Sequence, residues 1–243
     1  MSESEVLYCY GVVENKTTPS AGEGVFAVPC ETLAVLARRV VLGEEQLQSA
    51  EWLSRHIEDH DRVLKRAMEG GAVVPWRFGA FFSSEERVKE TIHGRADEFG
   101  TLLEQLRDRQ EWTVRGMQKE EIFLAQVRRV SRELKELREQ ECTAARGTAY
   151  LIAKRRELLE REEVCSRLEA ISQKAARYLE LVATIVLREE ENAFFNVAVL
   201  IPRSNRERLE AIVETLNQEH GAQGLCWSVS GPYPPYSFVE ERK

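Results

Sequence analysis

The sequence predicts an α+β protein of two domains, and three observations carry that reading. Apolar runs with strand character stand near both ends, EVLYCYGVV at residues 5–13 and NAFFNVAVLI at 192–201. Segments between them repeat their apolar residues every three or four positions, as helices do. The composition then changes at residue 119: positions 119–191 hold 15 Lys/Arg and 15 Glu, with neither Pro nor Asp. A first domain at 1–118 and a second at 119–243 follow, the latter ending in a proline- and aromatic-rich tail at 231–243.

In the first domain, residues 5–13 place Val6, Tyr8 and Tyr10 on one face and Leu7, Cys9 and Gly11 on the other. ENKTTPSAGEG at 14–24 reads as a loop. VFAVP (25–29) and LAVLARRVV (33–41) read as short strands, the second also fitting a helix through Leu33, Leu36 and Val40. A helix runs from about Ser49 with Trp52, Leu53, Ile57, His60, Leu64 and Ala67 or Met68 on its apolar face, and Gly70-Gly71 ends it. AVVPWRFGAFF (72–82) is nearly continuously apolar, as a central strand is, although Pro75 demands an edge or a bulge. Ser83 or Ser84 starts the next helix, with Ser83 and Glu86 spaced as a capping box, and that helix carries Val88, Ile92, Phe99, Leu102, Leu103 and Leu106. EWTVRGM (111–117) closes this half as a strand. Strands, helix, strand, helix, strand is close to a ferredoxin-like order with extra material near its front.

The second domain opens with a long helical region that a weak break at Arg146-Gly147 folds into a hairpin. Leu168, Ile171, Ala175, Leu179, Val182 and Val186 make its apolar stripe. Glu157–Arg161 and Glu163–Arg167 stand in the favourable i,i+4 order, and balanced charge of this kind marks a solvated helix face. A strand at 192–201, a helix at 203–219 and a strand at 225–229 follow, and they need the long helices against one sheet face to be buried. The tail GPYPPYSF (231–238) packs three prolines and three aromatic rings into eight residues. Proline fixes φ and cannot donate to a sheet, so Pro232, Tyr233, Pro234, Pro235, Tyr236 and Phe238 form an extended or turn-like strip that must lie against something. Docking on the protein itself is the plainer reading, as a strap over the domain junction.

A formal net charge of −7 argues against nucleic acid, which needs a concentrated basic surface. No apolar run approaches a membrane span, and the acidic start lacks the basic and long apolar regions of a signal peptide, so the expected place is the cytosol, with no membrane partner. Cys9, Cys30, Cys142, Cys165 and Cys226 are odd in number and contain no C-x-x-C pair, which reads as reduced, mostly buried thiols. His56 and His60 share a helix face and invite a zinc reading. The metalloprotease motif needs Glu directly after the first His, where Ile57 stands, so an ordinary hydrogen-bonding role is preferred and no metal or cofactor is expected. Nucleotide loops, nucleophile elbows and activated cysteines are absent from the sequence, which therefore reads as non-enzymatic. Two rival classes are a helical or coiled-coil scaffold built on 119–191 and a metal-dependent enzyme using His56 and His60.

Three segments escape this compositional account: VPWRFGAFF, RGTAYLIAKRRELLE (146–160) and the tail. The plainer reading makes Trp76 and Phe78 core, with Arg77 on a carboxylate or a ring face. Together with YCYGVV (8–13), His60, VVPWRFGAFFSSEERV (73–88), EWTVRG (111–116), GTAYLIAKRRE (147–157) and GPYPPYSF, however, they make the chain resemble the gas vesicle protein F/L family over essentially its whole length. The resemblance implies an N-terminal ferredoxin-like domain and a C-terminal, modified ferredoxin-like domain with long helices. It also implies no enzymatic activity and a role as an accessory protein in making gas vesicles. The expected partners are the hydrophobic shell protein A, kept from aggregating and helped to nucleate the shell, and other accessory gas vesicle proteins. The expected location is the cytoplasm and the vesicle, of which some members are minor components. An exposed edge of the first domain, or the groove beside Trp76, Arg77, Phe78, Phe81 and Phe82, is the expected contact surface.

Overall fold

A computed structural model describes residues 4–16, 22–42, 49–188, 190 and 192–239. The chain divides into two units, one of Met1–Glu111, Leu200–Arg203 and Pro232–Lys243, the other of Trp112–Val199 and Ser204–Gly231. The architecture is mixed helix and sheet with two sheets, as the sequence predicts.

The first unit is built on β1 (Ser4–Glu14), which pairs antiparallel with β3 (Leu33–Leu42), itself hairpin-paired with β2 (Phe26–Cys30). The stretch 33–41, ambiguous by periodicity, is therefore a strand. Of the loop expected at 14–24, residues 17–21 lie outside the described residues. Leu7 and Cys9 point to one face and Tyr8 and Tyr10 to the other, as the alternation requires. Between Cys9 and Gly11 the register with β3 slips by one residue, and the pattern continues with Val12 and Val13 exchanged in parity.

Each face receives helices. Helix α1 (Ala50–Gly70) starts at Ser49, whose Oγ accepts the Trp52 amide, and packs Val63, Leu64, Ala67 and Met68 against Tyr8, Tyr10, Val13 and Leu36. The other face takes Val88 and Ile92 from α2 (Glu85–His93) and Phe99, Leu103 and Leu106 from α3 (Ala96–Leu106). The single helix expected after Ser84 is thus two, parted at Gly94 and Arg95. Its cap is Ser84, whose Oγ accepts the Arg87 amide at 3.4 Å, rather than Ser83.

Residues 72–82 do not form the one strand expected there. Val74–Pro75 (β4) pairs with Val12 and Gly11, and Phe81–Phe82 (β5) pairs with Tyr8 and Leu7. Three steps along β1 face six along the partner, so a turn through Gly79 (φ +95°) takes up the surplus. Pro75 sits on the edge strand, where a missing N–H costs no ladder bond. Gly11 lets β4 close in: a Cβ there would lie 2.6 Å from the Val74 carbonyl oxygen.

The strand at 111–117 exists as β6 (Arg109–Gln118), but it does not complete the first sheet. It lies in a second, four-stranded sheet of order β7-β8-β6-β9, with β7 at Thr184–Leu187, β8 at Phe195–Pro202 and β9 at Leu225–Tyr233. The charged stretch is three helices rather than one hairpin: α4 (Glu120–Val130), α5 (Arg132–Thr143) and α6 (Arg146–Glu180). The unforeseen break is at Ser131, whose hydroxyl accepts the Leu134 amide and donates to Glu163 at 2.6 Å. Strand β7 was hidden in the helical stripe, because Val182 and Val186 fit either period; its β-branched Thr184-Ile185-Val186 is the sequence cue for a strand.

The second unit's core joins Phe123, Val127, Leu134 and Leu225 to Leu159, Val164, Leu168 and Ile171. Helix α7 (Arg206–His220) adds Leu209, Val213 and Leu216. Its Asn217 brackets Trp227 by accepting its amide at 2.8 Å and donating to its carbonyl at 2.9 Å. The helix charges are not all solvated. Glu160 is only 6% exposed, held by Arg128 through two bonds of 2.8 and 2.7 Å and by Arg156 at 2.8 Å. Glu163 pairs with Arg167 as the spacing predicts, whereas Glu157 hydrogen-bonds Lys154. The thiols are free but not mostly buried: Cys9 is buried and Cys30 half-buried, while Cys142, Cys165 and Cys226 are exposed.

Candidate functional site

In the first unit, four segments that the sequence left unexplained or widely separated meet around one histidine. The helical period of α1 turns His60 toward the sheet on the side where β1 presents Tyr8 and Tyr10. His60 is 2% exposed. Its Nδ1 lies 2.6 Å from the Tyr8 hydroxyl, and its Nε2 lies 3.1 Å from the Trp76 carbonyl oxygen and 3.0 Å from the Tyr236 hydroxyl. A carbonyl only accepts, so the proton sits on Nε2 and Nδ1 accepts the Tyr8 O–H. The ring stacks on Tyr10 at 5.4 Å between centroids and meets Tyr8 and Phe78 edge-on.

Burial sets the electrostatics. It pushes the His60 pKa below its ordinary value, against smaller opposing contributions from the Trp76 carbonyl, Asp61 and Asp59. Tyr8, Tyr10 and Tyr236 are all pushed upward, again chiefly by burial. The Cys9 thiol is raised to about 12 for the same reason. Every group of the node is thus neutral near pH 7, and both imidazole nitrogens are engaged. Such a network holds segments in place; it offers no poised base or nucleophile.

The segment being held is the tail. Pro234 and Pro235 are buried, and a turn closed by Tyr236 N to Pro234 O (2.8 Å) begins the short helix α8 (Tyr236–Val239). The strip is therefore extended only as far as Tyr233, the end of β9. Phe238 and Val239 pack on the core facing α2 and α3, while Tyr236 packs on the core facing α1. Glu111, 1% exposed, accepts the Ser237 amide at 3.0 Å and the Ser237 hydroxyl at 3.1 Å. Pro232 and Tyr233 are half-buried, with the Lys65 ammonium 5.7 Å from the Tyr233 ring centroid. Residues 240–243 lie outside the described residues.

The five residues read as a contact surface are divided between the two faces of the sheet. Trp76 lies tilted against Phe82 at 5.4 Å between centroids and reaches Phe99 at 6.5 Å on one face. Phe78 and Phe81 lie 5.8 and 5.2 Å from Tyr8 on the other. Arg77, at the turn between them, is exposed, and the four rings are half-buried. His56 does not join His60: it stacks on Trp52 at 3.7 Å, with Nδ1 2.8 Å from the Trp52 carbonyl oxygen. Sequence reasoning noted His60 and the tail separately but missed Glu111, because an acidic residue opening a strand carries no sign that it will be buried.

The family model for gas vesicle synthesis protein GvpL/GvpF matches residues 6–240, from β1 through the docked tail. The chain belongs to the GvpL/GvpF family. Gas vesicle protein F of a Streptomyces species is 28% identical over 246 residues, covering 96% of this chain and 99% of the relative. Gas vesicle protein F of Haloferax mediterranei is 23% identical, covering 98% and 94%. The crystal structure of GvpF from an Anabaena species superposes with a TM-score of 0.80 at 21% identity, over 99% of this chain and all of that one. GvpF from Microcystis aeruginosa gives 0.69 at 20% identity, over 97% and 99%. At those identities the two structures speak for the fold, which is the GvpF fold. As a GvpL/GvpF protein the chain has its role in gas vesicle assembly. Among the described residues no helix is long and apolar enough to cross a membrane.

Proposed function

We propose that this chain is a non-enzymatic accessory protein that binds the hydrophobic shell protein A of the gas vesicle, keeps it from aggregating and assists nucleation of the shell. It acts in the cytoplasm and at the gas vesicle, with other accessory gas vesicle proteins. The observation that carries this reading is the edge made by β4 and β5. Two two-residue strands flank an exposed Arg77 turn, so the edge is short and interrupted yet lined by half-buried Trp76, Phe78, Phe81 and Phe82. A subunit with a gas-facing apolar surface is an aggregation hazard before assembly, and an aromatic edge of this kind suits its transient cover. The saturated hydrogen bonding of His60 supports the non-enzymatic part.

The test uses the intact chain, because Leu200–Arg203 and Pro232–Lys243 belong to the first unit and a fragment ending at 118 would lose them. Shell protein diluted from denaturant is expected to stay in the supernatant with the intact chain and to co-purify with it. Arg77→Glu, at an exposed turn, is expected to weaken capture. Shell protein that sediments equally with and without the chain would defeat the reading.

A further inference from the structure

On the side of the first sheet that faces α1, away from the β4–β5 edge, cations collect in a way unexpected for a chain of net charge −7. A cleft of about 710 Å³ opens between β3 and α1, a volume within the usual range of small-ligand sites. Helical spacing sets Asp59, Arg62 and Arg66 on one face of α1 at i, i+3 and i+7. Arg38 joins them from β3, because its alternates Ala34 and Leu36 face α1. Arg39, its neighbour, sits beside the Phe26 ring and is neutralised by Glu85 at 2.9 Å.

The acceptors present do not match these donors. Asp59 takes Arg38 Nη1 at 2.5 Å and is shared with Arg62 at 3.4 Å. Arg38 Nη2 donates to the Glu23 carbonyl at 2.9 Å, while its Nε is buried without an acceptor. Arg66 has no ion partner among the described residues; its Nη1 leans over Gly22, at positive φ, while Arg38 Nε faces Gly24. Among the described residues, the only carboxylates on the lining are Asp59, already shared, and the exposed Glu23. A solvated arginine face needs neither a cleft nor a buried donor with nothing to meet.

We propose that this cleft docks an acidic segment of a partner protein, whose carboxylates supply an acceptor for Arg66 and a closer one for Arg62 than the shared Asp59. More than one carboxylate is implied, because the guanidiniums come from two elements and Arg62 and Arg66 are set about 6 Å apart at their Cβ atoms. The site is independent of the shell-protein reading and is tested by a different experiment, so either can fail alone.

The test is fluorescence anisotropy of the intact chain with fluorescein-labelled octaglutamate, with octaglutamine as control. Octaglutamate is expected to bind, more weakly as salt rises, and octaglutamine not to bind. The Arg62→Glu/Arg66→Glu variant, at exposed helix positions, is expected to lose about tenfold or more in affinity with an unchanged melt. Arg132→Glu, on α5 of the second unit, is expected to bind as the parent does. If the double variant melts early, Arg66→Gln repeats the measurement. Octaglutamate binding that is absent, equal in the variant, or matched by octaglutamine overturns the proposal. Displacement by inorganic phosphate as effective as by unlabelled octaglutamate also overturns it, making the cleft a small-anion site.

Discussion

His60 in the first unit and Glu160 in the second are both ionisable helix residues almost sealed from water, and the two units satisfy them in opposite ways. His60 meets two phenols and a carbonyl, none of them charged near pH 7, and burial pushes its pKa down so that it stays neutral. Glu160 meets Arg128 first and Arg156 second, and their hydrogen bonds hold its carboxyl below the usual range. One node excludes charge and the other requires it. The contrast shows that a buried polar residue is no single energetic category: losing a partner at His60 orphans neutral donors and acceptors, while at Glu160 it strands cations.

The largest break in this comparison comes from removing Pro232–Lys243. That deletion takes Tyr236 from His60, Ser237 from Glu111, and Phe238 and Val239 from the core. Full burial of each large apolar side chain is worth about 1.5–3 kcal/mol, and these are half-buried, so a loss of about 4 kcal/mol is expected for the three. A near-ultraviolet circular dichroism melt should fall by roughly 10 °C. An unchanged melt together with lost capture of shell protein would instead make the tail an interaction segment.

Next in size are the two nodes themselves. His60→Phe keeps the ring contacts but removes the acceptor of the Tyr8 hydroxyl proton and the Nε2 partner of the Trp76 carbonyl and Tyr236 hydroxyl, at a cost of about 2–3 kcal/mol in urea unfolding. Glu160→Gln keeps one acceptor and lets the half-exposed Arg128 rehydrate, so about 1–2 kcal/mol is expected. The reverse order would mean that the ionic node carries more of the fold than its exposure suggests.

Much of this was legible in the sequence, for reasons that can be named. Alternation in 5–13 and the helical period of 49–70 depend on one residue and its near neighbours, and both elements appear where expected. The failures are non-local. The run at 72–82 is apolar but for Arg77 because it feeds both faces of the sheet, so composition could not reveal that a turn at Gly79 breaks it in two. Strand 111–117 was recognisable, but which sheet it joins depends on β8 and β9, far along the chain. Ser131 ends α4 in a run, 117–146, with no Pro or Gly, by capping α5 and reaching Glu163. The candidate site was half visible: His60 and the tail stood out by motif, yet their meeting, and Glu111 beneath Ser237, depend on partners 126 and 176 residues distant in sequence.

Acid should separate the nodes by pH window. The folded-state pKa of His60 lies below its unfolded value of 6.5, so the stability it contributes is complete above that pH and is lost as pH falls below it. Asp59 and Asp61 on α1 oppose this shift without cancelling it. Glu160 is depressed from 4.5, so its contribution is present above 4.5 and is lost only as pH falls toward its folded-state pKa. Urea midpoints are therefore expected to drop between about pH 6.5 and 5 in the parent, and less so in His60→Phe. Part of the slope should survive in that variant, because burial also lowers His220. A parent profile flat down to pH 5 would show that His60 accepts a proton without disturbing its neighbours.

The smallest expected effect sharpens the comparison most, because it lies on the same helix as Glu160. Glu157 pairs with Lys154 at 2.8 Å, a distance equal to that of Glu160 and Arg156, but its side chain is 49% exposed and that of Lys154 56%. In water the Coulomb gain of such a pair is nearly matched by the entropy of fixing two long side chains and is further screened by salt. Glu157→Gln should therefore leave the melt where it was, at low and at high salt, while Glu160→Gln three residues later lowers it at both. Equal losses at the two positions would mean that the helix as a whole, through its charge pattern, sets the stability. The distinction between a sealed carboxylate and a surface one would then carry no weight in this molecule.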